Sequence, residues 1–406
     1  MLRKIKQGFR NFFLVYCHEF KLVFHDQGLI LFFFFLPLAY PIIYSLIYNP
    51  ELVKEVEIVV IDSDRTSLSR KLTRMLDACD EVRVLGYAAD LPEARRAMNE
   101  HKVYGILQIP EGFAKTVGRG EMGKTVFYSD MALLIRYRGF LMATTNVMQE
   151  MGSELLTKDI NEELPLAATI VTGDLLPIRD VSLGNIRSGF DSFIMPGVLI
   201  LILHQVLVLA IGMAGGAKKE NPRLVGYNPV NIAPSVLSTM VAQALCYITI
   251  IALPMIFLIH YVPLMFRFPM AGNFLEEVIF LMPMVLAACG VGYTYQAVVT
   301  EREEVFVSWV FTSVLFLFLS GLIWPRYAMP EVWKALSAVC PSTWGVEGFI
   351  KMNSNGSSLA DVATEYRNLW ILAGAWWTLG FCVRKWIVRP QIFGRRRRDL
   401  EKESSI

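Results

Sequence analysis

One segment of the sequence matches a nucleotide-binding motif letter for letter. Residues 118–125 read GRGEMGKT, which fits the phosphate-loop pattern G-x-x-x-x-G-K-[ST]. In that motif a strand precedes the loop and a helix follows it, so that backbone amides, a lysine and the helix dipole converge on phosphate. Here the patterns predict the reverse order, with a helix before the loop and a strand over 125–128 after it. We therefore expect turn residues and no nucleotide site at Gly118, Gly123, Lys124 and Thr125.

The other residues with chemical potential show no catalytic or metal-binding spacing. The five histidines and six cysteines form no H-E-x-x-H, C-x-x-C or similar ligand pattern. We therefore expect no catalytic residue, no cofactor and no metal in this chain. Two interpretations of His204 are possible because it lies in an apolar segment. It is either an ionisable group with a function inside the membrane or, as the favoured alternative, a neutral, hydrogen-bonded imidazole packed against another helix.

Composition excludes a wholly soluble protein. Of the 406 residues, 54% are hydrophobic and 19% charged, whereas soluble domains carry about 25% charged residues. The mean hydropathy is +0.43. Residues 50–188 nevertheless have ordinary globular composition, which excludes a bare bundle of membrane helices. The net charge of +2 gives no support to nucleic-acid binding, and we interpret the basic run Arg395–Arg398 as an anchor on anionic lipid.

Six segments are apolar enough to cross a bilayer. A membrane helix needs roughly 20 apolar residues to span about 30 Å of hydrocarbon. The sixth segment has only 16 uncharged residues and becomes long enough if Arg384 and Lys385 extend to the surface. The predicted spans are Leu29–Tyr48, Phe193–Ala217, about Ile232–Tyr261, Val278–Thr300, Val305–Pro325 and Asn368–Val383.

The distribution of basic residues predicts the orientation. Six spans place both termini on one side of the membrane, and the short segments of that side carry fifteen lysines and arginines. The short loops of the other side carry five. Because basic loops stay in the cytoplasm, we expect a multi-pass protein of the bacterial inner (plasma) membrane with both termini cytoplasmic.

Strand and helix patterns alternate between the first two spans, which predicts a small α/β domain. The predicted strands are Val56–Ile61, Val82–Tyr87, Val103–Ile109 and Thr125–Tyr128. The predicted helices are Thr66–Leu76, Leu91–Glu100, Pro110–Val117 and Met131–Asp159.

The predicted fold class is a polytopic α-helical membrane protein with six transmembrane helices and an extracytoplasmic α/β domain inserted between spans 1 and 2. The outer loop after span 5 contains two further helical patterns, which predict a re-entrant hairpin. The predicted domains are an amphipathic interfacial helix at 1–28, span 1 at 29–48, the α/β domain at 49–190, spans 2–6 at 191–389 with the hairpin at 325–367, and a basic cytoplasmic tail at 390–406.

The cytoplasmic segments indicate how such a protein would receive energy. They are too short to form an ATPase, so a transport cycle driven from inside needs a separate subunit. Residues 2–24 form an amphipathic stretch, which predicts a helix lying in the membrane interface. The loop 218–231 is polar, and its side chains either contact such a subunit or are simply solvated. The residues proposed for coupling are Arg10, Lys218, Lys219, Glu220 and Arg223.

This layout resembles the permease subunit of ABC-2 type export transporters, in particular the bacterial multidrug-export subgroup with a large extracytoplasmic domain. The resemblance covers nearly the whole chain, and the order and spacing of several short motifs carry it. These are Met195-Pro196-Gly197, the run SGLIWP at 320–325, Met329-Pro330, and the run CPST at 340–343 before Gly348.

The resemblance implies partners that composition does not show. Two permease chains would associate, as a homodimer or a heterodimer, and each would dock one cytosolic ATP-binding subunit, which would hold the ATP and magnesium. Residues 2–24 and 218–231 would take the coupling roles. The outer domain would contact substrate or a periplasmic adaptor leading to an outer-membrane channel.

A second interpretation belongs to another class of protein. A membrane-anchored receptor or surface-interaction protein could share this topology, with the α/β domain as its binding module. A receptor would not need an amphipathic N-terminal helix together with a polar first cytoplasmic loop, and that combination favours the permease.

Overall fold

The computed structural model describes residues 2–48, 54–119, 121, 123–130, 134–163, 189–221 and 235–390. The chain divides into two compact units. One is helical and combines Met1–Asn49 with Ser182–Ile406, and the other is the α/β unit Pro50–Val181.

Two helices separated by a bend open the chain. Helix α1 is Leu2–His25, and α2 is Gln27–Ile47, with a π-helical turn inside it. Between them Asp26 has extended backbone angles, and its carboxylate accepts hydrogen bonds from the amides of Gly28 and Leu29 at 2.9 and 3.3 Å. Phe9 and Phe13 of α1 are largely exposed, whereas Val15, Leu22 and Val23 on its other apolar side are buried.

The α/β unit is built on a four-stranded sheet of order β2-β1-β3-β4. Strand β1 runs parallel to β2 and β3, and β4 is antiparallel to β3. All four predicted strands form. In chain order the elements are β1 Val56–Asp62, α3 Ser67–Asp77, β2 Val82–Tyr87, α4 Leu91–Asn99, β3 Gly105–Ile109, α5 Phe113–Val117, β4 Val126–Ser129 and α6 Leu134–Glu163.

Local sequence explains why these elements start where they do. Thr66 and Ser69 satisfy each other's backbone amides in a capping box at the start of α3. The alternating residues of β1 bury both faces of the sheet. Ile58 packs with Phe140 of α6 on one face, while Val59 packs with Ala94 of α4 on the other.

In the described part of the helical unit, seven α-helices follow the α/β unit. They are α7 Phe190–Glu220, α8 Val236–Phe266, α9 Phe274–Tyr295, α10 Glu304–Leu319, α11 Glu331–Val339, α12 Pro341–Asn355 and α13 Ala363–Val383. Helix α7 is buried along almost its whole length, and its large apolar side chains form the core with α2, α8, α9 and α12.

Among the described residues, four helices are long and apolar enough to cross a membrane, namely α2, α7, α8 and α9. The prediction of six spans is therefore recovered only in part. Helix α10 has 16 residues, and the chain turns at Gly321, whose φ of +83° suits glycine. Helix α13 has 21 residues but carries Glu365 and Arg367 near its start, which lowers its apolar character.

Helices α11 and α12 occupy the segment predicted as a hairpin. Helix α12 packs closely on α9 because Gly345 and Gly348 leave room for Met284 and Phe280. On which side of the membrane this segment lies stays a prediction.

Candidate functional site

A buried carboxylate joins α1 to the core of the helical unit. Glu19 is only 1% exposed. Its two oxygens accept hydrogen bonds from Lys218 Nζ at 2.6 and 2.7 Å. Gln243 Nε2 donates to Oε2 at 2.9 Å, and the Tyr247 hydroxyl donates to Oε1. Donors from α7 and α8 thus converge on one side chain of α1.

The same cluster reaches α13 through a second cation. Arg384, directly after α13, donates from Nη1 to Oε1 of Gln243 at 2.6 Å. Its guanidinium carbon also lies 4.8 Å from the centre of the Tyr293 ring. We call Glu19, Lys218, Gln243, Tyr247 and Arg384 the Glu19 cluster. It links α1 with three helices that are distant in sequence.

The charge state of Glu19 depends on its hydrogen-bond partners. Burial alone would raise the pKa of Glu19, but the charge of Lys218 and the hydrogen bonds from Lys218, Tyr247 and Gln243 outweigh it, so the pKa lies below its usual value. The carboxylate is therefore ionised at neutral pH. Removing one partner of such a buried pair costs about 3–5 kcal/mol because the other charge stays uncompensated.

The neighbouring lysine makes a second buried joint. Lys219 Nζ donates to the carbonyl oxygens of Gln296 and Val299 at 2.6 and 2.7 Å. Gln296 Nε2 donates in turn to the carbonyl oxygen of Ile211 at 2.8 Å. A Cβ on Gly215 would lie 2.5 Å from Gln296, so a glycine here lets the end of α9 approach α7 closely.

A third joint is partly exposed. Arg302 donates to Glu220 from its backbone amide at 2.6 Å and from Nε at 2.9 Å. Its Nη1 donates to Asp26 at 3.2 Å. The hydrogen bonds to Glu220 raise the pKa of Arg302. The side chains of Arg302 and Glu220 are 39% and 29% exposed, so salt screens their contact, whereas the Asp26 side chain is only 9% exposed and its contact with Arg302 is screened less.

The structure corrects the predicted position of the coupling residues. Lys218, Lys219 and Glu220 belong to the last turn of α7 and not to a loop. Both lysines are buried, because each finds acceptors inside the chain. Whether Lys218, Lys219 and Glu220 take part in coupling stays a prediction. Arg10 is exposed on α1, and Arg223 lies outside the described residues. Their coupling role stays a prediction.

Sequence reasoning missed Glu19 and its partners from α8 and α13. A signal was present, because Glu19 is the sole carboxylate of α1. It occupies the same helical face as Val15, Leu22 and Val23, which are all buried. An acid on a buried apolar face needs a cation, and Lys218 stands at the end of the apolar helix α7.

The phosphate-loop match lies between α5 and β4. This is the helix-then-strand order that argues against a nucleotide site. Lys124 lines an open groove of about 400 Å³ together with Pro110, Glu111, Phe113, Thr116 and Glu121. Within the described part of the chain, no three histidine, cysteine or acidic residues are grouped to hold a metal ion.

His204 is buried in α7, with its ring edge-on to Phe316 of α10 at 5.9 Å. Neither ring nitrogen has a hydrogen-bond partner among the described residues. The imidazole is thus packed against a neighbouring helix, as the favoured interpretation had it, but without the hydrogen bond expected there.

Two comparisons with known proteins bear on this architecture. The sequence pattern of the ABC-2 family transporter proteins matches residues 28–382. The chain is also 21% identical over 328 residues to the linearmycin resistance permease protein LnrN of Bacillus subtilis (strain 168). That alignment covers 76% of this chain and 82% of the relative.

Proposed function

Because the chain belongs to the ABC-2 family of transporter proteins, we propose that it is the permease subunit of an export transporter driven by a separate ATP-binding subunit. Family membership and the apolar helices make it a multi-pass membrane protein. It is a transporter subunit rather than an enzyme. An amphiphilic substrate leaves the cytoplasm or the inner membrane, and ATP hydrolysis in the separate subunit drives this export.

The Glu19 cluster is the observation that supports coupling of this chain to an ATP-binding subunit. An amphipathic helix that only anchored the chain would need no buried ionic bond to the core. Here α1 is fixed to α7 and α8 by a carboxylate with four hydrogen bonds, while its residues Phe9, Arg10 and Phe13 remain exposed. This arrangement suits a helix that receives force from a partner and passes it into the membrane.

The proposed assembly follows from the topology and the family. Both termini lie in the cytoplasm of a bacterial cell, and the α/β unit Pro50–Val181 lies outside. A second permease chain completes the path, as a homodimer or a heterodimer. A cytosolic ABC subunit binds the ATP and magnesium at its own site. A periplasmic adaptor and an outer-membrane channel would contact the α/β unit.

The substrate class is proposed from one relative and from the surface. The relative is named for resistance to linearmycin, which supports a compound harmful to the cell as the substrate. Helix α10 exposes Phe311 and Phe318, and such apolar surface suits a path for a molecule that partitions into lipid.

Co-expression with ABC ATP-binding subunits from the same genome tests the function. We expect one subunit to co-purify with the full chain. In inverted membrane vesicles the pair should accumulate a fluorescent amphiphile only when ATP and magnesium are present. A chain that binds no such subunit and moves no amphiphile, but captures an extracellular ligand through Pro50–Val181, would be a receptor instead.

A further inference from the structure

We propose that a buried oxygen site between the start of α9 and the end of α12 binds a monovalent cation, for which Na⁺ is the candidate. The side chains of Glu277 and Asn353 form the site, and the backbone carbonyl of Met352 lies beside them. The site involves no ATP-binding subunit, so this inference goes beyond the proposed function and does not depend on it.

Glu277 differs from the other buried glutamates in the described part of the chain. The exposed fractions of Glu19, Glu277 and Glu365 are 1%, 3% and 6%. A lysine nitrogen lies 2.6 Å from a carboxylate oxygen of Glu19 and of Glu365. Glu277 pairs with no basic residue that the structure describes, and the one hydrogen bond its carboxylate accepts there comes from Asn353 Nδ2 at 3.4 Å, which is long for such a bond. Because a charge out of water is normally paired or bound to a metal ion, this carboxylate lacks a cation.

Asn353 is the second polar group of the site that lacks a partner. The residue is 1% exposed, and its Oδ1 accepts no hydrogen bond from the described residues. Because Nδ2 is the amide atom that bonds Glu277, a proton on the carboxyl group would remove the charge but give Oδ1 no donor. A cation bound by both side chains compensates the charge and satisfies this oxygen as well. The two groups together therefore point to a cation and not to a proton.

The backbone holds a further oxygen close to the carboxylate. A Cβ on Gly272 would clash with Glu277 Oε1 and would lie 2.7 Å from the carbonyl oxygen of Met352, so both oxygens lie against this glycine. Met352 belongs to the last turn of α12, where carbonyl oxygens carry the negative end of the helix dipole. Its oxygen accepts one hydrogen bond, from the Gly356 amide at 3.0 Å, which leaves a lone pair free. Carboxylate, amide and carbonyl oxygens are the ligands that hard cations prefer.

The charge of the site selects the kind of cation. Glu277 contributes one negative charge, and the side-chain amide and the backbone carbonyl contribute none. The neighbouring Glu276 is engaged elsewhere, because its Oε2 accepts a hydrogen bond from the Leu359 amide at 2.8 Å. A monovalent ion leaves the site neutral, whereas a divalent ion would leave a net positive charge buried, which is unfavourable.

The thermal stability of the purified full chain in detergent tests the site. Melting temperatures are measured over a range of NaCl concentrations, with choline chloride added to hold the ionic strength constant. Since an ion bound only by the folded state stabilises that state by mass action, a tenfold rise in Na⁺ above the dissociation constant should raise the melting temperature by about 2 °C. Glu277→Gln should remove this response. The matched control Glu365→Gln alters a glutamate that Lys351 already neutralises, and it should keep the Na⁺ response.

A second measurement stays decisive if Glu277→Gln does not fold. The wild-type chain should bind radioactive sodium ions saturably, and excess unlabelled NaCl but not choline chloride should displace them. Asn353→Asp adds a second carboxylate to the site and should shift its preference from Na⁺ towards Ca²⁺.

Melting temperatures that do not respond to Na⁺, together with no saturable sodium binding, would overturn the proposal and would mean that Glu277 is held protonated. A Na⁺ response of equal size in Glu277→Gln would place the ion elsewhere and reject this site. Stabilisation of the wild-type chain by CaCl₂ but not by NaCl would reject a monovalent ion, and an unchanged preference in Asn353→Asp would reject Asn353 as a ligand.

Discussion

Lys218 Nζ lies 2.6 Å from one carboxylate oxygen of Glu19 and 2.7 Å from the other, across 199 residues of sequence. Both side chains are buried. This bidentate contact fixes the first helix of the chain to the end of α7, and two of the predictions below depend on it.

Lys218→Met should destabilise the protein by about 3–5 kcal/mol, because it leaves the Glu19 carboxylate buried without a counter-charge. The double variant Glu19→Gln with Lys218→Met should lose less than Lys218→Met alone, since both charges are then absent. Denaturant titration of the purified chain in detergent measures this. Lys54→Met is the control, because its pair with Asp80 is exposed. Equal losses in the single and double variants would contradict a coupled pair.

The pH dependence of stability follows from the lowered pKa of Glu19. A carboxyl group with a lower pKa when folded than its usual value of 4.5 stabilises the native state above that value. The contribution is lost as the pH falls through the folded pKa. The difference in melting temperature between wild type and Glu19→Gln should thus be constant from pH 7 to about 5 and shrink in more acidic buffer. A melting-temperature difference that grows on acidification would mean that folding raises the pKa of Glu19 instead of lowering it.

Gly348→Ala should loosen α12 from α9. A Cβ at this position would clash with Cζ of Phe280, whose ring is fully buried. Overpacking of this kind costs about 1–3 kcal/mol. Gly374→Ala on α13 is the matched control, since a Cβ there meets nothing within 4 Å. Melting temperatures in detergent compare the two, and equal values would show that the α9–α12 contact tolerates a methyl group.

Arg10→Glu should weaken binding of the ATP-binding subunit by roughly tenfold, the effect of about 1.4 kcal/mol lost from an interfacial charge contact. Arg74→Glu, an exposed residue of the α/β unit, reverses the same charge and should leave binding unchanged. Surface plasmon resonance of nanodisc-embedded variants supplies both affinities. Similar losses in both variants would point to a general charge effect and not to a docking site on α1.

Lys124→Ala should change neither nucleotide binding by this chain nor the ATPase and transport rates of the complex. The isolated chain is expected to show no saturable binding of a fluorescent ATP analogue, and the complex should keep its ATPase and transport rates after the substitution. The physical reason is that the segment follows a helix and precedes β4, so no helix dipole points at a phosphate. Saturable binding that Lys124→Ala removes would restore the nucleotide site.

Local patterns predicted most of the elements. Residues 82–87 form the strand expected there, because their β-branched and aromatic side chains suit the sheet. The long apolar segments form helices, as their length and apolar character predict. Boundaries set by tertiary contacts were harder to predict. Helix α7 runs through Lys218 and Lys219 because acceptors from α1 and α9 lie within reach, which no pattern within α7 could show.

The candidate site was predicted only in part for a similar reason. The polar residues at 218–231 correctly indicated where α7 ends. A hydropathy scale scores lysine as strongly polar, however, and so predicts that its side chain is exposed to solvent. That Lys218 points inward depends on Glu19, about 200 residues away. Pairings across such distances are set by how helices pack, so they become visible only when the fold is known.

Helix α10 is unusually short. At 1.5 Å per residue its 16 residues measure about 24 Å, several ångström less than the hydrocarbon thickness of a typical bilayer. As the predicted fifth span, α10 would need a bilayer thinner by these few ångström around its exposed Phe311 and Phe318. The working of the protein would then depend on the acyl-chain length of the host membrane.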